Sequence, residues 1–532
     1  MSTSLANLSK TSLHHDDHTP RDARTVPLDI EHEGREGYIL DAGMLDKNDE
    51  FANTNLKLAK DGHTVLIPQP SDDPRDPLNW SWFKKHAVLL TISFIALLPD
   101  FGSAVGAVIL VAQGEEWNMS PNTVNHSQSG NVFMLGAGGY FAIIFSGYFG
   151  RLPTVFWFML IAFATSFYLT FAPDFNNFMA ARILNGFFST VTQGGGLMFI
   201  KDMFFFHEHA RKINIWSGFF ILSPYLGPFA AGFIVNVNSW RWTFGMYTIL
   251  TGLAYGFLLI FGDETYYDRS LPVEKQPSHG SHIGRLIGTA QWSSRHARIS
   301  LWGGCLRFWR ATTRIPVAVM MIYYMCTFAW VIGINTTLSL FLTPEAPAGY
   351  GFSTSSVSLF YFTPMIGAVL GELFGHFFND YMAKRYIRLH HGHFEPEARL
   401  WAMYLGELFI LPGLIISGFA LEKHWHWAAL AVGWGMFVFG VMINTVALLA
   451  YLLDCYPEAS GEIAANVNMG RTIGGFIISY FQVEWAQKSG ADMSFGIQAA
   501  ISAAVFGAIV VLQIYGRSLR NWSGPLRFDT IH

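Results

Sequence analysis

Charged side chains inside otherwise apolar stretches are the residues of this 532-residue sequence with the clearest capacity for chemistry. Asp100 follows Pro99 just past the middle of the first apolar stretch, and Arg182 lies in the fourth. A charge in a bilayer core costs about 2.5–3.5 kcal/mol on insertion scales, so each one needs a partner, a route to water or a functional role. We interpret Asp100 as a coupling or cation-binding carboxylate with Arg182 as its candidate partner, and a purely structural ion pair is the alternative.

Three further charges lie in later apolar stretches, namely Glu372, Glu407 and Arg471. We interpret them as structural ion pairs or as side chains that reach the membrane interface, with a proton or substrate site as the alternative. Polar and aromatic side chains of the seventh and tenth stretches are candidates to line a pathway, although such groups are more often packing elements or interface anchors. They are Tyr323, Tyr324, Trp330, Asn335, Asn444 and Thr445.

The apolar residues occur in blocks of about 20, the length that crosses a bilayer as a helix. Hydrophobic residues make up 51% of the chain and charged residues 14%, against about 25% charged residues in soluble domains. Six blocks, a polar insert and six more blocks predict twelve transmembrane helices in two halves, a common plan in transporters. The predicted spans are 86–111, 132–147, 154–171, 178–200, 213–235, 242–261, 316–342, 357–378, 400–420, 427–452, 463–481 and 495–515.

Lys and Arg residues define the predicted orientation. Most of the 34 lie in the two tails, the central insert and alternate loops, and such residues concentrate on the cytosolic side of a membrane protein. We therefore expect both termini in the cytosol. The predicted units are a largely disordered cytosolic tail over 1–83, a six-helix bundle over 84–262, a cytosolic loop over 263–315, a second six-helix bundle over 316–516 and a cytosolic tail over 517–532.

The sequence also argues against several functions. A net charge of −4 without a basic stripe gives no support to nucleic-acid binding. The histidine groups at 207–209 and 390–393 lack metal-ligand spacing, and no nucleotide-binding loop is found, so we expect no metal, no cofactor and no ATP-driven step. A membrane-embedded enzyme is a distant alternative. The first predicted outside loop carries two candidate glycosylation sites, Asn118 and Asn125.

The fifth predicted span contains prolines and small residues at close spacing. Pro224 and Pro228 each remove a helix hydrogen bond and bend the helix, which a membrane tolerates where neighbouring groups or water satisfy the freed carbonyls. Gly227 and Gly232 allow close contact between helices. We interpret this segment as shaped for packing and conformational exchange, and a simple packing kink is the alternative.

Short motifs spread over about 73–517 carry a family resemblance. Residues 76–80 read DPLNW before the first span, and residues 182–186 read RILNG with Arg and Gly four apart. The fifth span contains Gly227, Pro228 and Gly232. Residues 240–244 and 395–400 match motifs at the start of the sixth and ninth spans. In these motifs the sequence resembles the fungal transporters of the major facilitator superfamily, near the twelve-span drug:proton antiporter type.

The link between the second and third predicted spans departs from the family pattern. Gly150, Arg151 and Pro153 match, but Gly147 stands where the family has an aspartate, so the acidic residue that usually helps to lock one conformation is missing. The corresponding segment of the second half keeps its aspartate. The resemblance implies conformational roles for Gly150, Arg151, Gly186, Gly227, Pro228, Gly232 and Asp380, and the argument from helix bending adds Pro224.

The resemblance implies an all-α fold of two six-helix bundles around a cavity lined by the first, fourth, seventh and tenth helices. That placement favours Asp100, Arg182, Asn335 and Asn444 as substrate and proton groups. It further implies secondary active transport of a small organic molecule by alternating access, coupled to protons. We expect a monomer in the lipid bilayer of the plasma membrane. Import of a metabolite or organic cation, rather than export of drugs or secondary metabolites, is the alternative.

Overall fold

The computed structural model describes residues 57–59, 66–269, 271, 273–276, 280–292, 295, 298–345, 349–390, 394–524 and 526. The predicted disordered tail at 1–56 and 60–65 lies outside these residues. Long helices dominate the described chain, as the apolar blocks predict. We label them α1 Trp82–Ala104, α2 Pro121–Phe149, α3 Arg151–Phe171, α4 Phe175–Ser189, α5 Val191–Met203, α6 Phe206–Val235, α7 Arg241–Phe261, α8 Leu301–Thr312, α9 Ile315–Leu342, α10 Phe362–Leu389, α11 Trp401–Glu422, α12 Trp427–Cys455, α13 Ser460–Ser489 and α14 Ala491–Ser523.

Ten helices of the described residues are long and apolar enough to cross a membrane. They coincide with every predicted span except the fourth and the eleventh. At the fourth, Thr190 separates the two shorter helices α4 and α5. At the eleventh, α13 is 30 residues long, but polar side chains such as Asn466 and Gln482 dilute its apolar character. Both of these side chains are buried against other helices, where polar groups are tolerated better than on a lipid-facing surface.

Helix α2 begins at Pro121, well before residue 132 where the sequence predicts the second span. Ser120 accepts a hydrogen bond from the Thr123 amide, and Pro121 at the first helical position has no amide hydrogen that needs a partner, so the start is well capped. The sequence prediction is wrong here because the first turns of α2 carry amides and hydroxyls that are typical of loops. In the fold Asn125, Ser127, Gln128 and Ser129 of these turns are buried.

The earlier start of α2 removes one of the two predicted glycosylation sites. Asn125 lies inside α2 with none of its surface exposed, and its Nδ2 donates to the Ser479 carbonyl at 3.4 Å. A glycan cannot be attached to an amide in that position, so the prediction for Asn125 is wrong. Asn118 is exposed and follows the short helix Leu110–Trp117 with a left-handed φ of 53°. Its glycosylation stays a prediction.

The tail has defined structure close to α1. Asp76 accepts a hydrogen bond from the Leu78 amide and pairs with Arg269 at 2.9 Å. The Phe206 amide donates to the Ile67 carbonyl at 2.8 Å. The tail predicted to be largely disordered therefore has an ordered part at residues 66–81. These residues fasten the tail to the start of α6 and to the central loop.

The predicted central loop, residues 263–315, contains α8 and two shorter helices, His282–Ile287 and Thr289–Trp292. Phe308 of α8 is buried in a small apolar cluster with Ile143 of α2 and Ala465 of α13. Arg307 pairs with Glu462 at 2.9 Å. Helix α8 therefore contacts both halves of the molecule. We call the end of the bundle that holds residues 66–81 and this loop the central-loop end.

Helices α1–α7 form the first half of the bundle, and α9–α14 form the second. The halves meet along α2 and α13, and along α6 and α10. Tyr140 of α2 donates to Asn466 of α13 at 2.7 Å. Nearer the opposite end, Ser358 of the short helix Thr354–Phe360 donates to the Pro228 carbonyl of α6 at 3.1 Å. Contacts between the halves therefore run along much of the length of the bundle.

Candidate functional site

A buried ion pair joins the two halves near the middle of the bundle. Asp100 of α1 is 7% exposed and Arg471 of α13 is 5% exposed. Arg471 Nη1 donates to Asp100 Oδ2 at 3.0 Å and Nη2 donates to Oδ1 at 3.2 Å, a bidentate arrangement. Gln193 Nε2 of α5 donates to the same Oδ2 at 2.5 Å. Three helices therefore converge on one carboxylate, and one of them belongs to the opposite half.

Aromatic and polar groups surround the Arg471 side of this pair. The guanidinium lies 5.4 Å from the centre of the Phe328 ring, and Nε donates to Asn468 at 3.2 Å. Tyr225 of α6 and Tyr324 of α9, both buried, lie near enough to interact electrostatically with Asp100 and Arg471. The arrangement can hold a charge pair away from water, because hydrogen bonds satisfy both partners.

Arg182 is not the partner of Asp100, so that part of the sequence prediction is wrong. Arg182 is 1% exposed, and its Nη2 donates to the Ser103 carbonyl at 2.5 Å. Its guanidinium also lies 5.7 Å and 5.4 Å from the centres of the Phe178 and Phe244 rings. Ser103 is almost one turn beyond Asp100 on α1, about 4.5 Å by helical rise. Arg182 therefore packs against the same helix, one turn farther from the central-loop end.

The two asparagines predicted in the cavity lie apart from Asp100. Asn335 of α9 donates to the Pro224 carbonyl of α6 at 3.1 Å. Pro228 has no amide hydrogen, so the carbonyl four residues before it lacks its helix partner. Asn335 supplies the missing donor from the other half. Asn444 of α12 instead donates to the Tyr323 hydroxyl at 2.6 Å, inside the second half.

The small residues of α6 fit the predicted packing role in two different ways. A Cβ on Gly227 would lie 2.5 Å from the Phe101 carbonyl of α1, so this glycine permits contact within the first half. A Cβ on Gly232 would overlap Ser358, so this glycine permits contact between the halves. A Cβ on Gly186 of α4 would also lie 2.5 Å from a backbone carbonyl, that of Asn131 in α2. These three glycines therefore allow neighbouring helices to approach closely, and Gly227 does so next to the Asp100 site.

Acidic residues from outside the α2–α3 link replace the aspartate that it lacks. The Glu264 carboxylate accepts from the Arg151 and Leu152 amides at 3.2 Å and 3.3 Å, which caps the start of α3. The Arg151 guanidinium pairs with Asp202 at the end of α5 and donates to the Met198 carbonyl at 2.7 Å. The link is therefore anchored, although sequence reasoning did not identify Glu264 or Asp202.

Three further residues at the central-loop end are Gly150 and Asp263 of the first half and Asp380 of the second. Gly150 has a φ of 105°, a left-handed value that favours glycine, and α3 begins at the next residue. Burial raises the pKa of Asp263, but hydrogen bonds from Lys84 and Arg285 and their positive charges outweigh it and hold the pKa below its usual value. In the second half, Asp380 is half exposed and lies 3.9 Å from Arg399. Asp380 is therefore held less closely than Asp263, while Arg399 also pairs with Asp454 and donates to Asn379 at 3.0 Å.

Sequence reasoning missed Gln193, and it interpreted Arg471 as a structural charge with a proton or substrate site as the alternative. Arg471 was interpretable as a basic residue inside a predicted span, but nothing in the sequence connected it with Asp100, 371 residues away. In the part of the chain that the structure describes, no group of three or more His, Cys, Asp or Glu residues is placed to hold a metal ion. Residues 391–393 of one histidine group lie outside that part.

Comparison with known proteins identifies the class. The model of the Major Facilitator Superfamily matches residues 89–479, and the chain belongs to this family. An uncharacterized MFS-type transporter of Schizosaccharomyces pombe is 25% identical over 540 residues, covering 90% of this chain and 91% of that protein. The efflux pump FUB11 of Gibberella moniliformis is 25% identical over 471 residues, covering 85% of this chain and 76% of that protein.

A solved structure agrees with the fold. The partially occluded inward-open xylose transporter XylE from E. coli superposes with a TM-score of 0.58 at 15% identity, covering 81% of this chain and 98% of that one. The protein is thus a multi-pass membrane transporter with the all-helical fold of this superfamily, and it is not an enzyme. Members of the family act on small-molecule substrates.

Proposed function

We propose that the chain is a secondary active transporter of a small organic molecule, driven by a proton gradient. In this proposal twelve spans form two six-helix bundles, 84–262 and 316–516, that expose a central site to each side of the membrane in turn. The observation that carries the proposal is the buried Asp100–Arg471 ion pair, because it joins the two halves that must move apart.

The depth of this pair fits a central site. By helical rise, Arg471 lies about 16 Å along α13 from Ser460, and Gln193 lies about 15 Å along α5 from Met203. Half the thickness of a bilayer core is about 15 Å. The pair therefore belongs near the membrane midplane, where transporters of this kind hold substrates and coupling ions.

Movement of the halves gives the pair a coupling role. Opening the bundle separates α1 from α13 and takes Arg471 away from Asp100. A buried carboxylate that loses its counter-ion is neutralised most readily by a proton or by a cationic substrate. Asp100 then binds a proton in one conformation and releases it when Arg471 returns.

The orientation and location belong to the same proposal. The basic residues of the tail, the central loop and the alternate loops favour a cytosolic central-loop end. One chain supplies both halves of the pathway, so a monomer suffices. Export from the cell, the role in the name of the efflux pump FUB11, favours the plasma membrane. An externally accessible tag in the 263–315 loop of intact cells would contradict this topology.

Untargeted profiling of uptake and efflux in cells with and without the protein, across an imposed pH gradient, tests the proposal. We expect at least one compound whose flux depends on the protein and follows the gradient, and the sign of the flux distinguishes import from export. In proteoliposomes, Asp100→Asn should lose the gradient-driven flux of that compound. ATP-dependent flux without a gradient response would refute proton coupling, and wild-type flux in Asp100→Asn would eliminate Asp100 as the carrier.

A further inference from the structure

A second buried carboxylate lies inside the second half, apart from the Asp100 pair. Glu407 of α11 is 6% exposed. The Tyr323 hydroxyl of α9 donates to Glu407 Oε2 at 3.1 Å. The same hydroxyl accepts from Asn444 Nδ2 of α12 at 2.6 Å. Three helices of one half therefore meet at a polar cluster of Glu407, Tyr323 and Asn444, which we call the Glu407 cluster.

The Glu407 carboxylate has no counter-ion among the described residues. No Lys, Arg or His nitrogen of those residues lies within 4.0 Å of its oxygens. Glu407 Oε1 is buried and has no hydrogen-bond partner in the described part of the chain, and the same is true of Asn444 Oδ1. The hydrogen bond that the carboxyl group accepts therefore comes from the neutral hydroxyl of Tyr323.

Other titratable groups on the surrounding helices have different partners. On α10, Glu372 accepts from Ser217 of α6 at 3.5 Å. On α14 and in the segment Pro396–Leu400, Arg520 pairs with Glu397 at 2.9 Å. On α12, the titratable groups Tyr451, Asp454 and Cys455 lie toward the central-loop end, at least about 10 Å from Asn444 by helical rise. On α11 itself, Tyr404 lies about one turn before Glu407, and its ring packs against Phe506 of α14.

The energetics favour the neutral acid at Glu407. Burying a carboxylate anion without a counter-ion costs several kcal/mol even after the protein relaxes. Burying the neutral acid leaves one polar group without a partner, at a cost of about 1–3 kcal/mol. We infer that Glu407 is a protonated carboxylic acid at neutral pH and is a second proton-binding site of this transporter, held by Tyr323 and Asn444.

The Glu407 cluster is linked to the Asp100 pair through consecutive residues. Tyr324 follows Tyr323 on α9, Thr445 follows Asn444 on α12, and Thr445 Oγ1 donates to the Tyr324 hydroxyl at 3.2 Å. Tyr324 interacts electrostatically with Arg471. Two consecutive residues of α9, Tyr323 and Tyr324, therefore contact the two sites in turn. When the halves part and water reaches the Glu407 cluster, the O–H bond of Glu407 breaks. The proton passes to water and a carboxylate remains. This role in transport rests on the proposed proton coupling.

Infrared spectroscopy of the full-length protein in lipid bilayers tests the protonation state without a substrate. At neutral pH we expect the wild type to show a carbonyl stretching band of a protonated carboxylic acid that disappears in Glu407→Gln. Glu484→Gln, at an exposed carboxylate of α13 that pairs with Lys488 at 3.4 Å, is the matched control and should keep the band. A difference spectrum without this band means that Glu407 is ionised, which overturns the inference.

Tyr323→Phe serves as a second variant in case Glu407→Gln does not fold. Removing the hydroxyl removes the hydrogen bond to Glu407 Oε2, so the carboxylic acid band should move to higher frequency while its intensity stays. A band that does not move in Tyr323→Phe assigns it to another residue and contradicts the inference. Circular dichroism of each variant shows whether the helical fold is retained.

Transport then tests the coupling role separately. A gradient of one pH unit drives about a tenfold accumulation per coupled proton. For the first compound identified by the profiling above, we expect Glu407→Gln to accumulate about tenfold less than the wild type under such a gradient, and Glu484→Gln to match the wild type. A wild type without a gradient response overturns the proposed function but not the infrared assignment. A gradient-responsive wild type with an equally responsive Glu407→Gln overturns the coupling role of Glu407.

Discussion

Asp100 and Glu407 are both buried carboxylates, but the protein accommodates them in different ways. Asp100 receives two hydrogen bonds from Arg471 and one from Gln193, and its ionic partner lies on the opposite half. Glu407 receives one hydrogen bond from Tyr323, and the other two members of its cluster lie on its own half. A buried acid is stabilised either by a counter-ion or by a proton. The contrast indicates that the charge state of Asp100 depends on movement of the halves, and that of Glu407 on access of water.

Among the variants that test this contrast, Arg471→Ala should have the largest effect on the free energy of unfolding. Removing one partner of a buried ion pair costs about 3–5 kcal/mol, because the other charge stays buried alone. We expect a loss of that size in the free energy of unfolding, measured by denaturant titration of the purified protein. Adding Asp100→Asn should recover a large part of the loss.

Arg517→Ala is the control for this experiment. Arg517 pairs with Glu395 at 3.1 Å, but its side chain is 74% exposed. Exposed pairs contribute about 0–1 kcal/mol, so this variant should unfold close to the wild type. If Arg471→Ala is as stable as Arg517→Ala, the central pair does not hold the halves together.

The next largest effect is expected at Gly227, which supports the helix that carries Asp100. A valine side chain there would press against the Phe101 carbonyl, and overpacking of this kind costs about 1–3 kcal/mol. We expect Gly227→Val to reach the membrane and to lose transport, measured as gradient-driven flux. Gly218→Val on the same helix is the control, because a Cβ on Gly218 meets nothing within 4 Å. Normal transport by Gly227→Val would show that this close approach is incidental.

A smaller effect is expected for Tyr323→Phe in the Glu407 cluster. The change leaves Glu407 Oε2 and Asn444 Nδ2 without their shared partner, which costs about 1–2 kcal/mol of unfolding free energy. Tyr515→Phe, at an exposed tyrosine of α14, should have no measurable effect in the same denaturant titration. Equal stability of the two variants would argue that Tyr323 does not hold Glu407.

The smallest effect on stability is expected for Glu407→Gln. An amide keeps a carbonyl that accepts from Tyr323 and replaces a neutral acid with another neutral group, so the free energy of unfolding should change by less than about 1 kcal/mol. Asp100→Asn should cost more, because it leaves Arg471 buried without a counter-ion. A large stabilisation by Glu407→Gln would reveal a buried anion and remove the contrast between the two sites.

The positions of most helices follow from the sequence, since blocks of about 20 apolar residues have few stable alternatives in a membrane. The prolines that interrupt the hydrogen bonding of α6, Pro224 and Pro228, are readable in the same way. The start of α2 is not, because its amides and hydroxyls are typical of loops until other helices cover them. The fate of Asn125 follows from that error, since a site in an outside loop becomes a buried side chain in a helix.

The sequence by itself determined the helical class, the division into two halves and the presence of costly charges in apolar stretches, because these depend on composition and local order. The tertiary structure decided which charges meet. Asp100 pairs with Arg471 rather than Arg182, and Glu407 is left with a tyrosine, because pairing depends on which helices cross and at what height. Those distances are set by packing between residues as far as 371 positions apart, and no local pattern encodes them.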